Sequence, residues 1–138
     1  MKILHVIPSM GKESGGPRGA LISYLNALGS LVESEIATTD AGLTREEFQD
    51  LPQSVRRVPI HCFGQIGRHS WNLSWPMSEW LRKNIVRYDA VHIHALFSPM
   101  SSVAAFWARR AKVPYVLRPL GTLSPYTFLS RNRLLKAL

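Results

Sequence analysis

Short runs of branched apolar residues, separated by segments of helical period, constrain this chain more than any other feature. Residues 2–8 (KILHVIP), 35–39 (EIATT), 89–95 (DAVHIHA) and 113–119 (VPYVLRP) read as strands. Residues 55–63 (VRRVPIHCF) read as a further strand, and Pro59 inside it suggests a sheet edge. Between them, Ala20, Leu21, Tyr24, Leu25 and Leu28 recur at helical spacing after Pro17, and Gly29 ends that helix. Met77, Trp80, Leu81, Ile85 and Tyr88 form a stripe on a helix over residues 76–88. Val103, Phe106 and Trp107 anchor another over residues 99–112. A short helix is expected at 44–50, and a last one begins at 132–138. Strands alternating with helices predict an α/β fold, a doubly wound, mostly parallel sheet with helices on both faces. Right-handed crossovers give the strand order 3-2-1-4-5. Residues 1–138 form one domain.

Composition bounds the class. The chain is 46% hydrophobic and 19% charged, which suits a globular fold. No apolar run approaches the roughly 18 residues of a membrane-spanning helix. The opening MKILHVIPSM is too short and too interrupted for a signal peptide. The lone Cys62 can make no internal disulfide, so a cytoplasmic location is expected.

Charge is lopsided. Ten Lys or Arg and nine Asp or Glu precede residue 90. After Asp89 come Arg109, Arg110, Lys112, Arg118, Arg131, Arg133 and Lys136, and no acid. That field suits an anionic partner, such as a phosphorylated substrate or the inner face of a membrane. It is equally consistent with a solvated basic face.

The predicted order reverses direction between strands 1 and 4, and ligands of such sheets bind at that crevice, beyond the carboxyl ends of the strands. Three segments should converge there: the glycine-bearing loop after strand 1, His94-Ala95-Leu96, and Leu120-Gly121-Thr122. Gly15 and Gly16 precede a helix, where free amides and the helix dipole suit a phosphate or carboxylate. A dinucleotide fingerprint is not met, because it needs G-x-G-x-x-G directly after the strand. His92 and His94 share one strand face. No carboxylate or cysteine accompanies them, so no metal site is expected. His92 reads as structural, and His94 as the residue that reaches the crevice. Arg18 and Arg118 lie near enough to pair with anionic oxygens. Trp71, Trp75 and Trp80 read as core or helix-packing residues, and Tyr126 and Phe128 most simply as packing residues too.

Four segments together, KILHVIPSM, GGPRGALISYLNAL, YDAVHIHALFSP and VPYVLRPLGTLSPY, resemble the N-terminal, acceptor-side domain of the family-4 retaining glycosyltransferases. These enzymes have the GT-B fold, with two Rossmann-like domains. The resemblance implies transfer of a sugar from a nucleotide-sugar donor to a sugar or lipid-linked acceptor, with retention and without a bound metal or other cofactor. It implies that Gly15 and Gly16 approach the donor diphosphate or the acceptor. It implies further that His94 contacts the transferred sugar or its phosphate, and that Gly121 and Thr122 line an interdomain cleft. The family often has Pro-His-Gly where this chain has Pro119-Leu120-Gly121, so no role for a histidine there carries over. The family's donor-binding domain, with its E-x7-E motif, is not among these residues. The resemblance therefore describes an incomplete enzyme, inactive without a C-terminal domain or partner chain.

Two other classes remain open from the sequence. One is a non-catalytic or peripheral-membrane module that uses the basic segment. The other is a small Rossmann-like nucleotide-binding protein. A nucleic-acid partner is not expected.

Overall fold

The computed structural model describes residues 1–67, 71–120 and 123. In chain order the elements are β1 (Lys2–Ser9), α1 (Gly16–Leu28), β2 (Glu33–Thr39), α2 (Arg45–Gln49), α3 (Gln53–Arg56), β3 (Ile60–Phe63), α4 (Trp75–Asn84), β4 (Ala90–His94), α5 (Pro99–Arg110) and β5 (Tyr115–Arg118). The five strands form one sheet in the order β3-β2-β1-β4-β5. Every pairing is parallel. This is the topology read from the sequence, with β3 at an edge as Pro59 suggested.

Local chemistry sets the helix boundaries. Gly29, at φ +52°, closes α1 by donating its N–H to the Leu25 carbonyl, a backbone shape that favours glycine. Thr44 and Glu47 form a reciprocal capping box at the start of α2. Ser74 accepts the Met77 amide at the start of α4, with Pro76 in the first turn.

Strand alternation divides the core into two layers. Leu4, Val6, Val91 and Ile93 face α4 and α5, and pack with Met77, Leu81, Ile85, Met100, Ala104 and Ala108. Ile7 and Ile36 face the other way, toward Leu21 and Leu25 of α1 and Val55 of α3. Full burial of one such aliphatic side chain contributes roughly 1.5–3 kcal/mol.

Several expectations need correction. The third strand was predicted over residues 55–63, but only Ile60–Phe63 is extended and Gln53–Arg56 is helical. Pro52 caps that helical turn, and Val55 turns into the core beneath α1. The helix predicted to reach residue 88 tightens at Ile85–Arg87 into a 3₁₀ turn, which still buries Ile85 and Tyr88. Trp71 and Trp75 are 66% and 67% exposed, so neither is a core residue, whereas Trp80 packs against the core. Phe106 is also exposed, and Met100, Ala104 and Ala108 form the buried stripe of α5 instead. Small residues there let α5 lie close to the sheet. Tyr126, Phe128 and the helix predicted from residue 132 lie outside the described residues.

Candidate functional site: a crevice at the switch point

The chain's two loops on either side of the β1–β4 boundary meet as predicted. A depression of about 210 Å³ is lined by Pro8, Ser9, Ser14 and Pro17 from the β1 side and by Ala95, Phe97 and Ser98 from the β4 side, with Asn72 between. A second depression of about 620 Å³ shares Ser9, Ser14 and Asn72 with it and extends over Gly11, Ala41, Gly42 and Thr44. Together they form one crevice over the carboxyl ends of β1, β2 and β4. A hollow of about 680 Å³ lies near Leu25, Ser34 and Pro59, at the opposite end of the sheet from where such folds bind ligands.

Gly15 and Gly16 lie between Ser14 and Pro17, both of which line the crevice. Gly15 caps α1 at φ +51° and ψ −115°, so its glycine is a conformational requirement. Gly16 is different. A Cβ there would meet nothing within 4 Å, so the fold itself does not need glycine at that position. Gly11, in the same loop, is needed for close approach, because its Cβ would fall on the Gly42 carbonyl oxygen. A 3₁₀ turn at Lys12–Ser14 joins these glycines.

The backbone leaves ordinary space on the other wall. Ala95 follows β4 at φ +134°, and Asn72 sits at φ +45°. Such conformations cost on the order of 1–3 kcal/mol and persist only where surrounding structure holds them. Asn72 Oδ1 and Ser98 Oγ are buried atoms without a hydrogen-bond partner among the described residues. Ser9 is fully engaged by contrast, donating to the Ala41 carbonyl and accepting the Gly11 amide.

His94 lies directly beneath Ala95 and is fully buried. His92 shares its strand face, as alternation predicts, with ring centroids 4.0 Å apart. The sequence reading missed the third member, His5 of β1, which is in register with His92. Register between distant strands was the signal, and it becomes readable only once β1 and β4 are known to pair. His5 Nδ1 and His94 Nε2 are 3.1 Å apart, one N–H donating to the other ring's lone pair, and His5 Nε2 is 3.4 Å from Ser34 Oγ. Tyr24 of α1 packs edge-on against both His5 and His92.

Burial lowers the pKa of all three imidazoles. His5 falls to about 4, through burial and then neighbouring His92. His94 falls to about 2, through burial, then His92, His5 and Arg118. His92 is lowered by burial and by Arg118. The triad is therefore neutral at physiological pH. One nitrogen from each ring lies within 4.8 Å of the others, so the triad has the spacing that could hold a metal ion. That supplies the third ligand missing from the sequence-based reading.

Arg118 stands in register beside His94 at the carboxyl end of β5 and is exposed. Arg18 is half-buried in the first turn of α1, with its Nε unpartnered among the described residues. Gly121 and Thr122, the predicted third wall of the crevice, lie outside the described residues.

A parallel, doubly wound sheet with an open crevice at its switch point defines an α/β ligand-binding domain. The chain belongs to the glycosyl transferase 4-like domain family, which matches residues 16–138. The resemblance drawn from the sequence is thereby borne out. Among solved structures, the chain is similar to Anabaena Alr3699/HepE in complex with UDP and glucose. The TM-score is 0.55 and the identity 18%, over 85% of this chain and 29% of that one. It is also similar to AtPrR2 with NADP+ and (+)pinoresinol, with a TM-score of 0.51 and 15% identity, over 86% of this chain and 35% of that one. At these identities the likeness shows the fold alone. The chain thus spans about a third of the length of these structures or less. No curated protein matches it.

Proposed function

We propose that residues 1–138 form the acceptor-side domain of a retaining glycosyltransferase. It receives a sugar or lipid-linked acceptor and meets a nucleotide-sugar donor held jointly with a second domain or partner chain. The observation that carries this reading is the family match over residues 16–138, which takes in α1 from Gly16 onward and the β4-side wall of the crevice. HepE, a structure of similar fold, is described with UDP and glucose, which fits a nucleotide-sugar donor.

Each predicted residue has a role in this proposal. The amides around Gly15 and Gly16 receive a phosphate or an acceptor oxygen at the positive end of α1. Gly16 leaves room for close approach. His94 is neutral and buried beneath Ala95, and we assign its Nδ1, which has no partner among the described residues, to the transferred sugar or its phosphate. Arg18 and Arg118 supply positive charge, and the family resemblance assigns Gly121 and Thr122 to the cleft. The transfer proceeds without a bound metal or other cofactor, as the family resemblance implies. Donor stabilisation by preorganised charges is commonly the largest catalytic contribution, so the chain alone binds without turning over.

The domain works in the cytoplasm, at the inner face of the membrane when the acceptor is lipid-linked. No helix among the described residues is long and apolar enough to cross a membrane. Arg109, Arg110 and Lys112 are exposed together at the end of α5 and provide the basic contact.

Calorimetric titration of the chain with UDP-sugars, GDP-sugars and NAD tests the reading. Heat with a nucleotide sugar, reduced in His94→Ala, is expected. Heat with NAD alone would overturn it in favour of a dinucleotide-binding protein. Turnover of a nucleotide sugar by the isolated chain, lost in His94→Ala, would overturn its inactivity in isolation.

A further inference from the structure

The smaller part of the crevice has features that the fold does not explain. Ser98 is the residue that caps α5, at φ −136° and ψ +137°, yet its side chain makes no capping hydrogen bond. Ser74, with similar chemistry at the start of α4, does cap its helix by accepting the Met77 amide. The Ser98 hydroxyl therefore forgoes a stabilising cap, and is buried without a partner among the described residues. Asn72 Oδ1, in the loop before α4, is likewise buried without a partner among the described residues. Buried polar atoms of this kind call for an explanation in a bound group. The backbone at Asn72 and Ala95, on the same two walls, is held in left-handed or strained conformations.

The third feature is apolar. Phe97 lines the same depression and is 52% exposed. Pro8 and Pro17 add apolar surface opposite. The depression thus combines an exposed aromatic side chain with two polar oxygens that are unsatisfied among the described residues, within about 210 Å³. A sugar ring has the matching chemistry: an apolar C–H face for an aromatic ring and hydroxyls that donate to oxygen acceptors.

We propose that Phe97, Ser98 and Asn72 form a subsite for a single pyranose ring, with Phe97 beneath its C–H face and the two side-chain oxygens taking ring hydroxyls. The subsite rests on the reading of the crevice as a sugar-transfer site and assigns to it the residues that select a sugar. Asn72 and Ser98 belong to different segments of the lining, so the sugar bridges the α5 start and the loop before α4.

Ligand-observed saturation-transfer NMR on the full chain tests the subsite, with methyl α-D-glucopyranoside, methyl α-D-galactopyranoside and methyl α-D-mannopyranoside as probes at millimolar concentrations. Saturation is expected for at least one glycoside, strongest on ring C–H protons. Ser98→Ala should weaken binding about fivefold, the loss of one hydrogen bond, and Phe97→Leu should weaken it by at least as much. Ser98→Ala should leave the melting temperature unchanged, because the hydroxyl has no partner to lose among the described residues. Absence of saturation with all three glycosides would overturn the subsite, as would unchanged binding in both variants. A drop in melting temperature for Ser98→Ala, with binding unaltered, would assign the hydroxyl a structural role and overturn it too. Nucleotide-sugar titration of the same sample keeps the two readings apart. Nucleotide-sugar binding without glycoside binding overturns the subsite alone, and loss of both overturns the proposed function with it.

Discussion

His5 and His94 are 89 residues apart in sequence, yet their ring nitrogens meet at 3.1 Å inside the sheet. The contact joins β1 to β4, the pair that flanks the switch point, and extends through His5 to Ser34 of β2. It makes the floor of the crevice a polar chain inside an otherwise apolar layer. A buried imidazole pair survives there because each ring is neutral and finds a partner.

The triad makes the fold acid-sensitive. An unfolded histidine takes up a proton near pH 6.5, whereas folded His5 does so only near 4. Between those values the unfolded chain binds more protons, so stability falls as pH falls through that window. Above pH 6.5 the ring is neutral in both states and the effect vanishes. His5 alone should account for a loss on the order of 3 kcal/mol by pH 4, and His94, which is held neutral in the fold to about pH 2, should add to the loss over the same window and continue it below pH 4. Urea titrations at pH 7.5, 6, 5 and 4 measure this. In His5→Leu the slope between pH 6.5 and 4 should lessen, with His92 and His94 supplying the remainder, and an unaltered slope would show that other groups set the acid limb.

Glu35 is the centre of a second network, on the opposite sheet face. Burial alone would raise its carboxyl pKa, but Lys2, Tyr88 and His61 donate to it and bring it down to about 2. Glu35→Gln should destabilise the protein by about 1–2 kcal/mol, as hydrogen bonds to a charged acceptor become hydrogen bonds to a neutral one. Chemical denaturation at pH 7 would show it. The wild-type advantage should disappear as pH falls from about 4.5 to 2, where the carboxylate becomes protonated.

Gly11 and Gly16 make opposite predictions. A Cβ on Gly11 would meet the Gly42 carbonyl oxygen, a backbone atom that cannot rotate away. Gly11→Ala should cost about 1–3 kcal/mol and distort the larger depression. Gly16→Ala meets nothing and should change the melting temperature little, or raise it slightly through helix propensity. If the proposed approach of a ligand to Gly16 is right, the same substitution should weaken nucleotide-sugar binding several-fold in calorimetry.

Ala95 tests strain directly. At φ +134° an L side chain is disfavoured, and glycine is not. Ala95→Gly should stabilise the fold by about 1 kcal/mol, read as a rise in denaturation midpoint. A fall in stability would mean that the Ala95 methyl group contributes packing that outweighs the strain.

The order of strands and helices was legible because burial imposes periodicity on the chain. Residues 2–8 and 89–95 had to be strands, since a short branched apolar run buried on both faces has little alternative. The position of the crevice followed from topology, and so did the shared face of His92 and His94. Residues 55–63 were misread because Val55 is apolar in either state, and its contact with α1 decides for helix. Trp71 and Trp75 were misread because hydrophobicity reports a preference for burial, not whether neighbours supply a cover.

By itself, the sequence determined the class of fold, the parallel order and the end of the sheet that carries a ligand. These depend on patterns that each segment carries alone. Only the tertiary structure brought His5 to His92 and His94, left Ser98 and Asn72 without partners among the described residues, and set Gly11 against Gly42. Those relationships depend on strand register and loop approach across many residues, and no local pattern encodes either one.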